Sequence, residues 1–217
     1  MSAKRQLAVL ISGRGSNLQA LIDAARNPAY PAEIKLVISN KAGVQGLERA
    51  AKAGIATLVI DHKKFESRAQ FDAEMTRAME QAGTELVCLA GFMRLLSEEF
   101  VAHWRDRMIN IHPSLLPAFK GLDVQQRAID AGARFSGCTV HYVRFDMDTG
   151  PIVLQAAVPI HADDDADALA ARILEQEHVI YPLAVRWIAE GRVRIDGERA
   201  IVKCAPAPAG ALVNPAP

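Results

Sequence analysis

The chain has 217 residues, of which 50% are hydrophobic and 23% charged, a composition that excludes an intrinsically disordered protein and can supply a buried core. Lys and Arg together number 25 and so do Asp and Glu, so the formal charge is zero, which argues against a protein that holds nucleic acid on a basic surface. No apolar run approaches roughly 18 residues, so we expect no membrane span. The first residues lack the pattern of a signal peptide, and the three cysteines (Cys88, Cys138 and Cys204) are dispersed. We therefore expect a cytoplasmic protein without a disulfide framework.

Apolar runs of strand length alternate with longer amphipathic segments through the first half of the chain. Strands are predicted at residues 6–11, 34–39, 56–60, 86–90 and 108–112, and helices at 16–25, 46–53, 68–82 and 97–104. This alternation predicts an α/β fold with an open, mostly parallel, twisted sheet that carries helices on both faces. The uninterrupted apolar run at 86–90 suits a strand that is buried on both sides.

The second half of the chain has a different pattern. A helix is predicted at 123–131, and strands at 138–143 and 152–158 are separated by a polar turn, which indicates an antiparallel addition to the sheet. An amphipathic helix follows at 167–190, with an interruption expected near Tyr181 and Pro182, and then short strands near residues 193 and 201. We expect one domain over residues 1–204. The segment 205–217 is rich in Pro and Ala without charged side chains, which predicts a disordered tail.

A glycine-rich segment connects the first strand to the first helix. Backbone N–H groups of Gly15, Ser16 and Asn17 at the start of that helix could bind a single phosphate. The segment differs from a dinucleotide fingerprint because Leu18 stands where the third glycine would be, and no Gly-Lys-Ser/Thr follows as in a Walker loop. The alternative is an ordinary tight turn with Ser16 as the helix N-cap.

A second candidate site lies at the end of the fifth predicted strand. Asn110 and His112 point to the same face because side chains alternate along a strand, and Pro113 then ends the regular pairing. An amide N–H beside an imidazolium N–H, at the carboxyl end of a parallel strand, can stabilise an oxyanion. The alternative is a hydrogen-bonded core histidine next to a capping asparagine.

An acidic turn supplies the third candidate, Asp148. A carboxylate near His112 would favour the charged imidazole and could take a proton from an attacking amine, directly or through one water. Ordinary turn chemistry also explains an Asp before Thr-Gly-Pro. Asp146 is the same residue type two positions earlier and competes for the role.

Several further positions carry weaker signals. The apolar loop 91–96 follows a buried strand and could hold a flat heterocycle, although such a loop is more often core. Arg68 opens a helix and could meet a ligand carboxylate. Glu177 lies in the long helix and faces either the sheet edge or water, and His141 shares a strand face with Thr139, close to the site or within the core.

Together these segments make the chain resemble the folate-dependent formyltransferases that act on glycinamide ribonucleotide in purine biosynthesis. The resemblance extends from about residue 7 to 193 and rests on these motifs in chain order: ISGRGSNLQAL, SNKAGVQGLERA, GFMRLLS, NIHPSLLPAFKG, GCTVHYV, DTGPIVLQ and QEHVIYP. It implies a Rossmann-like formyltransferase fold with a phosphate-binding N-terminal half and a folate-binding, catalytic C-terminal half.

The resemblance also implies roles for individual residues. Gly15, Ser16 and Asn17 would bind the phosphate of the ribonucleotide, and Glu177 would contact its ribose or its glycinamide end. The catalytic residues would be Asn110, His112 and Asp148. The implied folate-binding residues are Arg68, Met93, Arg94, Leu95, Leu96, Asn110 and His141.

The same resemblance implies the substrates and the chemistry. 10-Formyltetrahydrofolate would be the co-substrate, and the amine of glycinamide ribonucleotide would attack its formyl carbon, so neither a metal nor a nicotinamide is expected. We expect no nucleic-acid or membrane partner, and either a monomer or a homodimer. The chain departs from the family pattern at Asp123, where histidine or asparagine is more usual, and this puts any supporting role of that loop in doubt.

Three other functions remain open from the sequence. A methionyl-tRNA formyltransferase would need a further C-terminal domain and a basic surface. A formyltetrahydrofolate hydrolase usually has an extra N-terminal domain, for which we expect no room before residue 6. A non-enzymatic nucleotide-binding module would explain the glycine-rich loop but not Asn110, His112 and Asp148.

Overall fold

The computed structural model describes residues 3–206 and 209–215. Its strands are β1 (Arg5–Ile11), β2 (Ala32–Ser39), β3 (Ala56–Val59), β4 (Leu86–Leu89), β5 (Met108–His112), β6 (Phe135–Tyr142), β7 (Ile152–Pro159), β8 (Val193–Asp196) and β9 (Arg199–Val202). Its helices are α1 (Ser16–Ala25), α2 (Gln45–Lys52), α3 (Arg68–Gln81), α4 (Glu98–His103), α5 (Val124–Asp130) and α6 (Ala166–Ala189), with a 3₁₀ turn at His62–Lys64 that the sequence pattern did not predict.

Seven strands form one sheet in the order β3-β2-β1-β4-β5-β6-β7. The pairs among β1 to β5 are parallel, whereas β6 runs antiparallel to β5 and β7 antiparallel to β6. Strands β8 and β9 form a separate two-stranded sheet. The predicted mostly parallel sheet with an antiparallel addition in the second half is therefore confirmed.

Both faces of the sheet are covered by helices, as the sequence predicts. On one face Leu18 and Leu21 of α1 and Tyr181 of α6 are buried in the larger core. On the other face Met75 of α3 and Trp104 after α4 are buried in the second core. Burial on both sides explains why the central strands are continuous apolar runs.

The chain changes direction across the sheet between β1 and β4. Strands β2 and β3 lie on one side of β1, and β4 and β5 lie on the other. The connections that leave the carboxyl ends of β1 and β4 therefore diverge and leave a crevice, the usual ligand site of open α/β sheets. The loops at the carboxyl ends of β1, β4 and β5, next to this crevice, are residues 12–15, 91–97 and 113–123.

The expected interruption of the last long helix is wrong. Helix α6 continues through Pro182, although a proline cannot donate the backbone hydrogen bond of a helix interior. Ile173 before the proline and Ala184 after it are both buried in the same core, so packing holds the two halves of the helix in line. The hydroxyl of Tyr30 also donates to the Pro182 carbonyl at 2.7 Å.

The predicted disorder of residues 205–217 falls partly on residues 207–208 and 216–217, which lie outside the described residues. Within the described part, the Asn214 side chain donates to the carbonyls of Arg134 and Ile160, at 2.5 and 3.1 Å. The extent of the domain, residues 1–204, stays a prediction.

Candidate active site

The glycine-rich loop bends sharply before α1. Gly15 has φ of +69°, which favours glycine, and it is the residue that caps α1, with no side-chain hydrogen bond at the cap. Ser16 is the first helical residue, so the alternative of Ser16 as N-cap is wrong. Because no capping side chain bonds to them, the first amides of α1 remain available to a ligand at the positive end of the helix dipole.

Helix α2 supports this loop through direct backbone contact. The amide of Gly46 donates to the Gly13 carbonyl at 3.1 Å. A Cβ on Gly15 would lie only 2.7 Å from the Cα of Gly46, closer than real Cβ atoms approach. Gly15 and Gly46 are therefore both needed where α2 meets the loop. The sequence pattern did not indicate that Gly46 supports the glycine-rich loop.

Asn17 and Glu177 meet although they are far apart in the sequence. Both are buried, and Asn17 Nδ2 donates to Glu177 Oε2 at 2.7 Å. Burial raises the pKa of the Glu177 carboxyl, and the hydrogen bond from Asn17 offsets only part of that effect. Asn17 Oδ1 is buried with no hydrogen-bond partner among the described residues, so this corner offers acceptors to a polar ligand.

The predicted catalytic residues lie together at the end of β5. Asn110 and His112 share a strand face, and His112 Nδ1 lies 3.4 Å from Asp148 Oδ1. Asp148 adopts φ of +51° and accepts from the Gly121 amide at 2.7 Å, which ties its turn to the loop after His112. Asp146 is exposed, so the carboxylate that faces His112 is Asp148.

The second ring nitrogen of His112 also has a partner. His112 Nε2 lies 3.0 Å from the carbonyl oxygen of Phe119, and Phe119 has φ of +50°, an uncommon conformation for a bulky residue. A carboxylate at one nitrogen and a carbonyl at the other are both acceptors. The geometry therefore suits an imidazolium that donates through both nitrogens.

His141 lies directly opposite Asn110 in the β5–β6 register. Its Nδ1 is within 3.0 Å of the Tyr142 carbonyl and 3.1 Å of the Thr149 carbonyl, so this nitrogen carries the proton. Burial lowers the pKa of His141, and its neutral Nε2 accepts from Asn110 Nδ2 at 3.3 Å. This contact orients the Asn110 amide and leaves its second N–H for a ligand.

Thr139 lies beside His141 on the same face and anchors the loop after His112. Its hydroxyl donates to the Ser114 carbonyl at 2.7 Å and accepts from the Leu116 amide at 3.1 Å. Gln155 of β7 donates to both Thr139 Oγ1 and the Leu116 carbonyl at 2.9 Å. The antiparallel addition therefore shapes the segment that follows β5.

Apolar side chains that are exposed border the same end of the sheet. Two loops, which leave the carboxyl ends of β4 and β5, expose the large apolar side chains of Met93, Leu95 and Leu122. Met147, also exposed, precedes Asp148, and its sulfur lies 4.0 Å from where a Cβ on Gly121 would stand. Exposed apolar groups that gather around a polar centre are typical of a binding site for a partly apolar ligand. Leu96 is partly buried in the first of these loops.

Two of the implied folate-binding residues, Arg68 and Arg94, are exposed near the same loop. Arg68 is the first residue of α3, and Arg94 lies in the 91–97 loop. The carboxyl of Asp72 lies near both: burial raises its pKa, and the two arginine charges lower it by less. The structure thus brings Arg68 and Arg94 to one corner of the candidate site.

Asp123, the departure from the family pattern, is exposed at the N-terminus of α5. It has φ of +54° and makes no side-chain capping bond.

Among the described residues, no group of three or more His, Cys, Asp or Glu side chains is arranged to hold a metal ion. Likewise, none of the helices within residues 3–206 and 209–215 is both long and apolar enough to cross a bilayer.

Comparison with known protein families gives one assignment for most of the chain. Residues 5–185 match the family described as formyl transferase. The match includes the glycine-rich loop, the end of β5 and the acidic turn.

Similar proteins include enzymes of purine biosynthesis. The chain is 59% identical over 193 residues to the trifunctional purine biosynthetic protein adenosine-3 of Drosophila pseudoobscura pseudoobscura, with 88% of the chain covered, and it spans about one seventh (14%) of that protein's length. It is 45% identical over 200 residues to the phosphoribosylglycinamide formyltransferase of Escherichia coli K12, covering 89% of the chain and 94% of that protein. A crystal structure of glycinamide ribonucleotide transformylase 1 from Symbiobacterium toebii superimposes with a TM-score of 0.91 at 46% identity, over 93% of this chain and 95% of that one.

Proposed function

Since the chain belongs to the formyl transferase family, we propose that it transfers the formyl group of 10-formyltetrahydrofolate to the amine of glycinamide ribonucleotide, in purine biosynthesis. The family resemblance that the motifs indicated is confirmed by the match over residues 5–185. The observation that carries the proposal is the meeting of His112 and Asp148 beside Asn110, at the carboxyl end of a parallel strand.

The proposed chemistry forms a bond between the ribonucleotide amine and the formyl carbon, and then breaks the bond from that carbon to N10 of the folate. The amine loses a proton, N10 gains one, and the products are formylglycinamide ribonucleotide and tetrahydrofolate. The free N–H of Asn110 and the charged His112 would stabilise the oxyanion between these steps. Asp148 would hold His112 charged and receive the amine proton directly or through one water.

The His112 contact with Phe119 sets a condition for this chemistry. Nε2 donates to the Phe119 carbonyl at 3.0 Å, and Nδ1 faces Asp148. An oxyanion that accepts from Nε2 would have to replace the Phe119 carbonyl, so the 113–123 loop would shift when both substrates are bound. The left-handed conformation of Phe119 costs free energy in this arrangement of the loop, and a shift of the loop would release that cost.

The ribonucleotide would lie between α1 and α6. Its phosphate would accept from the amides of Gly15, Ser16 and Asn17 at the N-terminus of α1. Its ribose or glycinamide end would donate to Glu177 and to the partnerless Asn17 Oδ1. Both features lie on the β1 side of the crevice, because α1 follows β1 directly and Asn17 of α1 binds Glu177.

The folate ring would lie against the backbone of Met93, Arg94, Leu95 and Leu96. The exposed apolar groups of the loops after β4 and β5 fit a flat heterocycle, and Arg68 would lie along the folate tail, where a carboxylate is present. Asn110 and His141 complete this side of the site. A cytoplasmic location and a monomer or homodimer are part of the proposal.

One assay tests the function against its alternatives. The protein is incubated with 10-formyltetrahydrofolate, with and without glycinamide ribonucleotide, and the release of tetrahydrofolate is followed. Release that requires the ribonucleotide is the expected result. Equal release without it would indicate a hydrolase, and no release in either case would favour a binding module or a tRNA-dependent enzyme.

A further inference from the structure

Ser12 lies in the crevice where the strand order changes direction, directly after β1. Its side chain is buried and takes part in two short hydrogen bonds. The hydroxyl donates to Asn40 Oδ1 at 2.6 Å and accepts from the backbone amide of Met93 at 2.8 Å. The hydroxyl therefore joins the ends of three neighbouring strands, because Asn40 follows β2 and Met93 follows β4.

The other end of the 91–97 loop has its own buried anchor. The amide of Ser97 donates to Asp72 Oδ2 at 2.6 Å, and Asp72 of α3 is only 1% exposed. Ser97 in turn caps α4, because its hydroxyl accepts from the Phe100 amide at 3.3 Å. Two side chains from other elements thus hold the loop near its two ends.

The loop is exposed between these anchors. Met93 and Leu95 are 64% and 59% exposed, and Arg94 is exposed as well. Such a segment has few apolar contacts of its own, so its shape depends on the anchors. Asp72 Oδ1 is buried without a hydrogen-bond partner among the described residues, and this costs folding free energy. An apolar side chain at this position of α3 would avoid that cost but could not accept from the Ser97 amide.

We propose that Ser12 and Asp72 are positioning residues that hold the 91–97 loop in the shape that receives the folate ring. Neither side chain would touch the reacting atoms. Ser12 also directly precedes the glycine-rich loop, so the same hydroxyl fixes the position of the 91–97 loop relative to that loop. The inference rests on the proposed function, because that function assigns the folate ring to this loop.

The chain provides a matched control for Ser12. Ser39 is fully buried at the neighbouring strand end, but its hydroxyl bonds only within its own turn, donating to the Lys41 carbonyl and accepting from the Lys41 amide. Ser12→Ala and Ser39→Ala therefore remove the same group from similar surroundings. Only the first variant removes the contact with Met93.

The first measurement needs no ligand. Hydrogen exchange of backbone amides is followed by NMR in the wild type and in both variants. We expect the Met93 amide to exchange about tenfold faster in Ser12→Ala, as for the loss of one partly buried hydrogen bond, and to be unchanged in Ser39→Ala. Equal exchange of this amide in the two variants would overturn the proposal.

The second measurement separates the two substrates. Calorimetry gives the Kd of tetrahydrofolate and of glycinamide ribonucleotide for each variant. Ser12→Ala and Asp72→Ala should raise the Kd of tetrahydrofolate by about tenfold and have a smaller effect on the ribonucleotide. Asp72→Asn keeps an acceptor for the Ser97 amide and should restore most of the affinity.

The outcomes distinguish this inference from the proposed function. If both Kd values rise equally, the side chains only stabilise the sheet edge and the positioning role is wrong. If the wild type binds no tetrahydrofolate, the proposed function is wrong, and the exchange of Met93 still shows whether Ser12 holds the loop. If Asp72→Ala does not fold, the exchange of the Met93 amide and the Kd of tetrahydrofolate in Ser12→Ala still decide the matter.

Discussion

His112 Nδ1 lies 3.4 Å from Asp148 Oδ1, and their side chains are only 7% and 12% exposed. A contact this well shielded from water is screened little by salt, and it fixes the orientation of the imidazole ring. Nε2 then points away from Asp148, toward the position that the Phe119 carbonyl now fills. The pair accordingly determines where a developing oxyanion would have to lie.

Removing either of the two proposed oxyanion donors should nearly abolish turnover. Asn110→Ala and His112→Ala are each expected to lower kcat by roughly 10²–10³, while circular dichroism and thermal unfolding show a folded protein. The matched controls are Asn27→Ala and His103→Ala, which change exposed residues away from this end of the sheet. Turnover close to that of the wild type in Asn110→Ala or His112→Ala would contradict the mechanism.

His141 should be largely neutral at pH 6.5, where an ordinary histidine is half charged. Burial lowers its pKa below the ordinary value of 6.5, so it contributes stability above that value, and the contribution is lost as pH falls through the lowered pKa. ¹⁵N NMR of the imidazole should show the Nδ1–H tautomer, with no titration near pH 6.5. A normal titration there would show that Nε2 is not a dependable acceptor for Asn110.

Glu177→Gln should stabilise the protein and weaken the binding of the ribonucleotide. Burial raises the pKa of Glu177, so its contribution to stability is present below about 4.5, its unfolded value, and is lost as pH rises through the folded pKa. A glutamine keeps an oxygen for Asn17 without the cost of a buried charge. The gain in free energy of unfolding should therefore grow from acid to neutral pH and then level off.

Denaturant unfolding at several pH values measures this gain, and Glu175→Gln, which changes an exposed residue of the same helix, is the control. The KM for glycinamide ribonucleotide should rise by at least roughly tenfold in Glu177→Gln, as for the loss of a charged hydrogen-bond acceptor. An unchanged KM would remove Glu177 from the ribonucleotide site.

Gly46→Ala should displace the glycine-rich loop, although Gly46 itself lies outside that loop, in α2. The new Cβ would lie 2.5 Å from Ile11 Cδ1, which can move, and 3.0 Å from the Gly13 carbonyl, which is backbone and hydrogen-bonded to Gly46 itself. We expect a rise of about tenfold or more in the Kd of the ribonucleotide, while tetrahydrofolate binding changes little. The control is Gln45→Ala, an exposed neighbour on α2, and equal affinities in the two variants would contradict the role of Gly46.

Much of the site follows from short patterns in the sequence. The alternation of apolar and amphipathic segments predicted the order of strands and helices, because each element buries a face with its own period. The same period of two placed Asn110 and His112 on one face. The pattern could not predict that helix α6 continues through Pro182, because only packing on both sides of the proline holds the helix straight.

By itself, the sequence determined the type and order of the elements, the glycine at the bend before α1 and the family to which the chain belongs. Tertiary structure alone decided that Asp148 rather than Asp146 faces His112, that the Phe119 carbonyl occupies Nε2, and that Ser12 and Asp72 hold the 91–97 loop. The reason is physical: a local pattern reports which face of an element is buried. Contacts between loops, and above all the directions of backbone carbonyls and amides, depend on how strands that are distant in sequence are placed in one sheet.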